Sequence, residues 1–228
     1  ISMRKKFYSV AIDGPSGAGK STLARRVAER LGFRYVDTGA IYRAVGYHMA
    51  LMGVGPRDKD GITRFIDDVN IQIVYADDGI QHMILNGHDI TDGIRTPEMS
   101  AYASGVSALP CVRDYLLDMQ RSLARTNNVI MDGRDIGTVV LPQADVKIFL
   151  TASAEVRAQR RYAELISKGE NVTLDKVLAD MRQRDKQDST RAIAPLRCAE
   201  DAVRLDTSEM NLDEAEAAIL KIVRGKLG

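Results

Sequence analysis

One stretch, Gly14-Pro15-Ser16-Gly17-Ala18-Gly19-Lys20-Ser21, constrains this chain more than any other. It fits the pattern G-x-x-x-x-G-K-[ST], a loop that works only between a β-strand and a helix. The flanks comply. Tyr8-Ser9-Val10-Ala11-Ile12 is β-prone and ends at Asp13, and beyond Lys20 the apolar residues Leu23, Val27 and Leu31 recur at helical spacing until Gly32 stops them. Small residues let successive backbone N–H groups curl around phosphate oxygens, and the helix N-terminus adds positive potential. Lys20 is then placed to reach the β- and γ-phosphates, with the Ser21 hydroxyl on Mg2+. The segment from Gly14 through Ser21, continued by Thr22, is therefore read as a nucleoside triphosphate site.

The rhythm continues with Phe33-Arg34-Tyr35-Val36 as a second strand, Asp37-Thr38-Gly39 as a helix cap, and Ile41, Val45, Met49 and Met52 on the helix that follows. Alternation of strand and helix at these lengths predicts an α/β fold with a parallel sheet and crossover helices. It then breaks. Asn70-Ile71-Gln72-Ile73-Val74-Tyr75 alternates, Ala76-Asp77-Asp78-Gly79 turns, Ile80-Gln81-His82-Met83-Ile84-Leu85 returns, and Asn86-Gly87 turns again before His88-Asp89-Ile90. This predicts a small antiparallel meander, a subdomain of its own over about residues 61–95. Helices are expected from Pro97 and Pro110, each proline suiting a first helical turn. Val129-Ile130-Met131-Asp132, Val146-Lys147-Ile148-Phe149-Leu150 and Val203-Arg204-Leu205-Asp206 read as further strands. Ser153 caps an Arg-rich helix, a second helix covers about residues 174–188, and a terminal helix about residues 212–227. The polar segment 157–191 reads as a mobile hairpin more than a core layer.

Charge and cysteine usage narrow the classes. With 32 Lys+Arg against 31 Asp+Glu the net charge is +1, which removes the basic excess that nucleic acid or an anionic membrane selects. No run of 18 apolar residues exists, and Met3-Arg4-Lys5-Lys6 leads straight into the first strand without a signal-type apolar region. Ile1-Ser2 ahead of Met3 is set aside as an addition, and the expectation is a cytoplasmic protein. Cys111 and Cys198 stand apart with no Cys/His cluster, so they read as two reduced thiols and no structural zinc is expected. The absence of heptads leaves a monomer as the expectation.

Three more segments carry charge to strand ends, where α/β folds bind ligands. Asp37-Thr38-Gly39-Ala40-Ile41-Tyr42-Arg43 opens the second helix, and the helix N-terminus with Arg43 reads as a second anion site. Asp132-Gly133-Arg134-Asp135 follows a strand, where a carboxylate can hold Mg2+ through water and Arg134 can bridge phosphates. The run from Arg182 to Arg191 carries four basic and two acidic groups, and alone reads equally well as a solvated face. Together they set arginines from separate segments against one phosphate loop, the inventory that phosphoryl transfer needs. No histidine lies in these motifs; His48, His82 and His88 read as filler. That suits an acceptor already anionic, because a phosphate monoester with a second pKa of about 6 needs no base.

In these residues the chain resembles the bacterial cytidylate kinases, within the adenylate-kinase-like P-loop nucleoside monophosphate kinases. The likeness rests on Gly14–Ser21, Asp37–Arg43, Asp132-Gly133-Arg134-Asp135 followed by Ile136-Gly137-Thr138-Val139-Val140, and Arg184–Arg191 followed by Ala192-Ile193-Ala194-Pro195-Leu196. It is collinear over about residues 10–205. The resemblance implies a five-stranded parallel sheet with helices on both faces, a small antiparallel insert in the monophosphate-binding part, and a short helical lid. Its division would be a core of about residues 3–37, 108–156 and 192–228, a monophosphate-binding part of about 38–107, and a lid of about 157–191.

The same resemblance implies ATP-dependent phosphorylation of CMP and dCMP in pyrimidine nucleotide metabolism, with Mg2+. Lys20, Arg134, Arg184 and Arg191 would stabilise the transferring group. Thr38 stands where the family commonly has Ser; Arg43, Arg134 and Arg191 would hold phosphate; Arg184 and Asp188 would lie at the sugar. Ser104, Arg113 and Asp135 would read cytosine, and Arg160 would sit near the adenine of ATP. Ser21 and Asp132 would serve Mg2+, with the choice between Asp132 and Asp135 left open. The trio makes chemical sense, since Asp135 can accept from the N4 amino group while Arg113 and Ser104 donate to ring acceptors. Uracil reverses that polarity, so CMP and dCMP are expected over UMP. Two rivals stand. A kinase of a small hydroxylated metabolite, shikimate or gluconate type, would use Asp37 or Asp135 as base; a nucleotide-gated switch protein would share only the loop.

Overall fold

The computed structural model describes residues 7–77 and 79–228; the segment Ile1-Ser2-Met3-Arg4-Lys5-Lys6 and Asp78 of the expected turn lie outside the described residues. Strands rich in Val, Ile and Met with few polar residues must be covered on both faces. Here that condition is met in β1 (Ser9–Asp13) and β6 (Val129–Gly133), which are buried at every position. They pair in parallel with β2 (Arg34–Asp37), β7 (Val146–Thr151) and β8 (Val203–Asp206), giving one five-stranded sheet in the order β2-β6-β1-β7-β8. β1 is central, so the loop that leaves it opens at the middle of the sheet's carboxyl edge.

Two apolar layers flank the sheet. On one face α1 (Lys20–Leu31) and α8 (Leu212–Leu227) pack Leu23, Val27, Ile219 and Val223 against Ile12, Ile130 and Ile148. On the other, α2 (Thr38–Leu51), α4 (Pro97–Val106) and α5 (Pro110–Thr126) bury Ile41, Val45, Met49, Val106 and Leu116 with Val36 and Met131. Helix ends follow their sequences. Gly32 takes φ 65° at the end of α1, where a side chain would be strained. Asp37 caps α2 by accepting from Ala40 N, and Asn211 with Glu214 closes a reciprocal capping box on α8.

Between α2 and α4 lies the insert. β3 (Ile71–Tyr75), β4 (Gln81–Leu85) and β5 (His88–Asp89) form a three-stranded antiparallel sheet. Two features depart from the meander expected over residues 61–95. Its first part is helical, with α3 (Lys59–Phe65) running into a tight turn at Ile66–Asp68. Asp58 caps that helix through Gly61 N at 2.9 Å, and Ile62 and Ile66, one turn apart, point into the core. Nor is the insert a subdomain with a core of its own. A sheet of three strands has one face to bury, and Gln81, Met83 and Leu85 turn that face inward. Met83, Leu85, Ile90 and Ile94 therefore join the same apolar cluster as α2, α4 and β6.

α6 (Ala154–Ser167) and α7 (Leu174–Thr190) form the polar hairpin read from the sequence. It carries a small apolar seam of Ala158, Val177 and Met181 with Tyr162, Leu165 and Leu178. Both cysteines are free thiols, Cys111 half-buried and Cys198 exposed. Among the described residues no helix is long and apolar enough to cross a membrane.

Candidate functional site

The loop after β1 begins at Gly14, where any side chain would drive a Cβ to 1.9 Å from the Leu150 carbonyl oxygen. Gly17 and Gly19 adopt positive φ of 74° and 86°, the conformations that turn backbone N–H groups toward one centre. Lys20 is buried and donates to Pro15 O at 2.7 Å, so its ammonium is folded over the loop. Burial, and then the charge of Arg134, push its pKa down to about 7.

Ser21, the second residue of α1, faces β6. Its hydroxyl donates to Asp132 Oδ2 at 3.0 Å, while Tyr35 OH donates to Asp132 Oδ1 at 2.9 Å. Burial, and then Asp37, raise the Asp132 carboxyl to about 6. A hydroxyl and a carboxylate side by side at the loop's rim are hard oxygen donors, the set that fits Mg2+ when phosphates supply its remaining ligands. Asp135, the other carboxylate open to that role from sequence, is engaged elsewhere: it accepts from Arg113 Nη1 at 2.7 Å and lies 3.6 Å from Arg191 Nη2.

Arg43, Arg134 and Arg184 come from three segments and feel one another's charge. Arg134, just beyond β6, donates through Nε to Asp188 Oδ2 on α7 at 2.9 Å. Burial opposes the Asp188 charge, but Arg134 and Arg184 bring its carboxyl below the usual range. Arg184 is pushed down to about 10 by burial and then by Arg134, with Arg43 adding to the repulsion. Burial and then Arg113 lower Arg191. Arg43 Nε, Arg184 Nε and Arg191 Nη2 are buried without a hydrogen-bond partner. Crowded cations with unspent N–H groups are a site built for an anion.

At the α2 N-terminus, where the sequence places a second anion site, Asp37 and Thr38 make bonds within the protein. The Asp37 carboxylate caps the helix itself and takes Arg43 Nη2 at 2.9 Å. The Thr38 hydroxyl donates to Asp132 O at 2.7 Å and so ties α2 to β6. The same helix leaves Arg43 Nε buried without a hydrogen-bond partner.

Arg113, Asp135, Tyr42 and Gln120 line one cavity of about 400 Å³ together with Val139, Val140 and Ala192-Ile193-Ala194. Arg113 also lies 5.4 Å over the Tyr42 ring, and its Nε donates to Ser107 O at 2.6 Å. Ser104 lies on α4 beside Ser107, the partner of this cavity's arginine. No bond of its hydroxyl reaches Arg113 or Asp135; its carbonyl accepts from Ser107 Oγ at 3.1 Å, and it is Ser107 Oγ that accepts from Arg191 Nη1 at 3.3 Å. Ser104 on α4 and Ser107 at its C-terminal cap are three residues apart, so both lie on one side of the helix end.

At the opposite rim, Arg160 donates to the Thr207 carbonyl at 2.7 Å and faces Thr207 Oγ1 at 3.3 Å, which fixes the loop after β8. Thr22 is exposed on α1. Sequence reasoning missed Arg157, which grips Asp185 with both terminal nitrogens at 3.0 and 2.6 Å and also donates to Ser16 O at 2.9 Å. It pins the α6–α7 hairpin to the phosphate loop, and α7 puts Met181 where a Cβ on Gly17 would meet it at 2.9 Å. Asp13 was missed too. Its carboxylate accepts from Ile136 N at 2.8 Å and Gly137 N at 2.7 Å, and burial raises its pKa to about 6. An acid closing an otherwise apolar strand beside a glycine loop was the available signal.

Comparison with known proteins agrees with this geometry. The family model described as Cytidylate kinase matches residues 10–225. Proteins named cytidylate kinase from Carboxydothermus hydrogenoformans and Caldicellulosiruptor bescii are 49% and 47% identical over 217 residues, covering 95% of this chain and 97% and 96% of theirs. Among solved structures, an uncharacterized protein from Eubacterium ventriosum superposes with a TM-score of 0.53 at 12% identity, covering 95% of this chain and 98% of that one. A gluconokinase from Sinorhizobium meliloti gives 0.50 at 15% identity, covering 98% and 96%; likeness at such identities speaks for the fold alone. With a phosphate loop, converging arginines and a family match over nearly its whole length, the chain belongs to the cytidylate kinase family.

Proposed function

We propose that this chain transfers the γ-phosphoryl group of ATP to CMP and dCMP, giving CDP or dCDP and ADP. The observation that carries the reading is the set of buried, unpartnered guanidinium N–H groups on Arg43, Arg184 and Arg191 around the loop that holds Lys20. A phosphate oxygen of the monophosphate attacks the γ-phosphorus in line, and the bond from that phosphorus to the β–γ bridging oxygen breaks. The acceptor is already an anion near neutral pH, so the residues' task is charge stabilisation and alignment. Lys20 swings from Pro15 O to the β- and γ-phosphates, Arg134 and Arg184 follow the moving group, and Arg43 and Arg191 hold the acceptor phosphate. Ser21 and Asp132 would hold Mg2+, which neutralises charge on the ATP phosphates.

Asp135 accepts from the N4 amino group of cytosine, with Arg113 donating to the ring. Ser104 and Ser107 shape that edge, Arg184 and Asp188 meet the sugar, and Arg160 with the Thr207 loop faces the adenine. The shikimate and gluconate reading needs Asp37 or Asp135 free as a base, whereas Asp37 is held by Ala40 N and Arg43 and Asp135 is paired with Arg113. Residues 38–107 and 157–191 act as the parts that close over the substrates, in a monomer working in the cytoplasm.

ADP release with Mg-ATP against CMP, dCMP, UMP, AMP, GMP, shikimate and gluconate tests the assignment. Turnover with CMP and dCMP, weak with UMP and absent with the alcohols, is the expected result. Equal UMP turnover removes Asp135 from its role, and release that needs no acceptor moves the switch reading forward. Sedimentation checks the monomer, and small-angle scattering with a bisubstrate inhibitor checks closure.

A further inference from the structure

Asp135 occupies the N-cap position of the wide helical turn Ile136–Val140, yet its side chain makes no capping bond. A carboxylate there ordinarily folds back onto the free N–H groups of its own turn. Asp135 supplies the turn only with its carbonyl, which accepts from Val139 N at 2.9 Å and Val140 N at 3.1 Å. The N–H groups of Ile136 and Gly137 are instead taken by Asp13, from the adjacent strand β1, at 2.8 and 2.7 Å. Asp13 is 5% exposed and ends β1, one residue before the phosphate loop.

We infer that Asp13 is a positioning residue for base selection: by capping the turn that Asp135 would otherwise cap, it keeps the Asp135 carboxylate turned toward Arg113 and the base cavity. Two buried N–H groups left without Asp13 demand an acceptor, and the nearest carboxylate able to rotate onto them is that of Asp135. Once there, Asp135 no longer meets an amino group on the base, and Arg113 loses the partner that holds it at 2.7 Å. Space around the turn leaves few other solutions. A Cβ on Gly137 would already meet Lys147 Cδ at 3.1 Å and Asp13 Oδ2 at 3.3 Å, so the cap is fitted closely to this acceptor. The inference rests on the proposed CMP reading, because it assigns Asp13 to the selectivity of that same site.

The test compares wild type with Asp13→Asn and Asp13→Ala in kcat/KM for CMP and for UMP, with KM for ATP and thermal unfolding measured alongside. Asp13→Asn is isosteric and keeps one acceptor, so a fold-preserving variant is available. The expected result is a CMP-over-UMP ratio reduced by about tenfold in Asp13→Ala and by less in Asp13→Asn, through a raised KM for CMP. KM for ATP stays within about twofold. A merely structural role lowers turnover with both acceptors together and leaves the ratio in place. An unchanged ratio in the variants, beside a wild type that prefers CMP, overturns this inference alone. A wild type without that preference overturns the CMP reading, and this inference with it.

Discussion

Arg134 Nε and Asp188 Oδ2 lie 2.9 Å apart, joining the loop beyond β6 to the second helix of the hairpin. The residue is 6% exposed and its carboxylate also feels Arg184 and Arg191, so it is a negative group set among crowded cations. It holds Arg134 in place before any phosphate arrives. Asp188→Asn keeps the shape and removes the charge, leaving Arg134 free to drift. KM for CMP should rise about tenfold with a smaller change in KM for ATP, read from steady-state kinetics with each substrate varied. Equal rises in both would remove Asp188 from the acceptor side.

Arg157 and Asp185 make the corresponding tie on the ATP side. The arginine is 4% exposed and joins Asp185 on α7 to the Ser16 carbonyl in the phosphate loop. Asp185→Ala leaves a buried guanidinium short of its two strongest acceptors, which should cost about 3 kcal/mol in urea unfolding. Asp185→Asn should cost less and raise KM for ATP more than KM for CMP. Unaltered unfolding in Asp185→Ala would show that water replaces the carboxylate without penalty.

What sequence conveyed and what it withheld divide along physical lines. The phosphate loop, the strand ending at Asp206 and the caps at Asp37 and Ser153 were legible because each is local chemistry over a few residues. The helix at Lys59–Phe65 was hidden by Gly61 and a single buried position, Ile62, too little for a period to show. The shared core under the insert depends on which face of β4 meets α2, a tertiary fact with no local signature. Asp13 showed itself only as an acid at a strand end, and its role stayed hidden for a sharper reason. Its partners are backbone N–H groups 123 and 124 residues away, and backbone carries no residue identity to read.

Gly105 in α4 offers a test of packing alone. A Cβ there would stand 1.9 Å from the Pro56 carbonyl oxygen and 2.8 Å from its carbon, both backbone atoms that cannot swing aside. Gly105→Ala gains helix propensity, yet overpacking should win and destabilise the protein by about 1–3 kcal/mol. Denaturant unfolding measures it, and a neutral or stabilising outcome would mean that the segment around Pro56 yields freely.

Stability should also respond to pH through Asp13. Burial raises its pKa to about 6 from 3.8, with nearby Asp135 raising it further and the two backbone bonds and Lys20 opposing. The folded chain therefore holds this proton more tightly than the unfolded one. The contribution is fully present below the unfolded value and is lost as pH rises through the folded value. Asp13→Asn cannot titrate there, so the stability of wild type minus that of the variant should fall between pH 4 and pH 7, by about 2–3 kcal/mol. Groups with no electrostatic link to Asp13, Asp188 among them, titrate alike in both proteins and cancel in the difference. Urea unfolding of the pair across that range measures it. A flat difference would mean that the backbone bonds from Ile136 and Gly137 offset the burial of the charge in full.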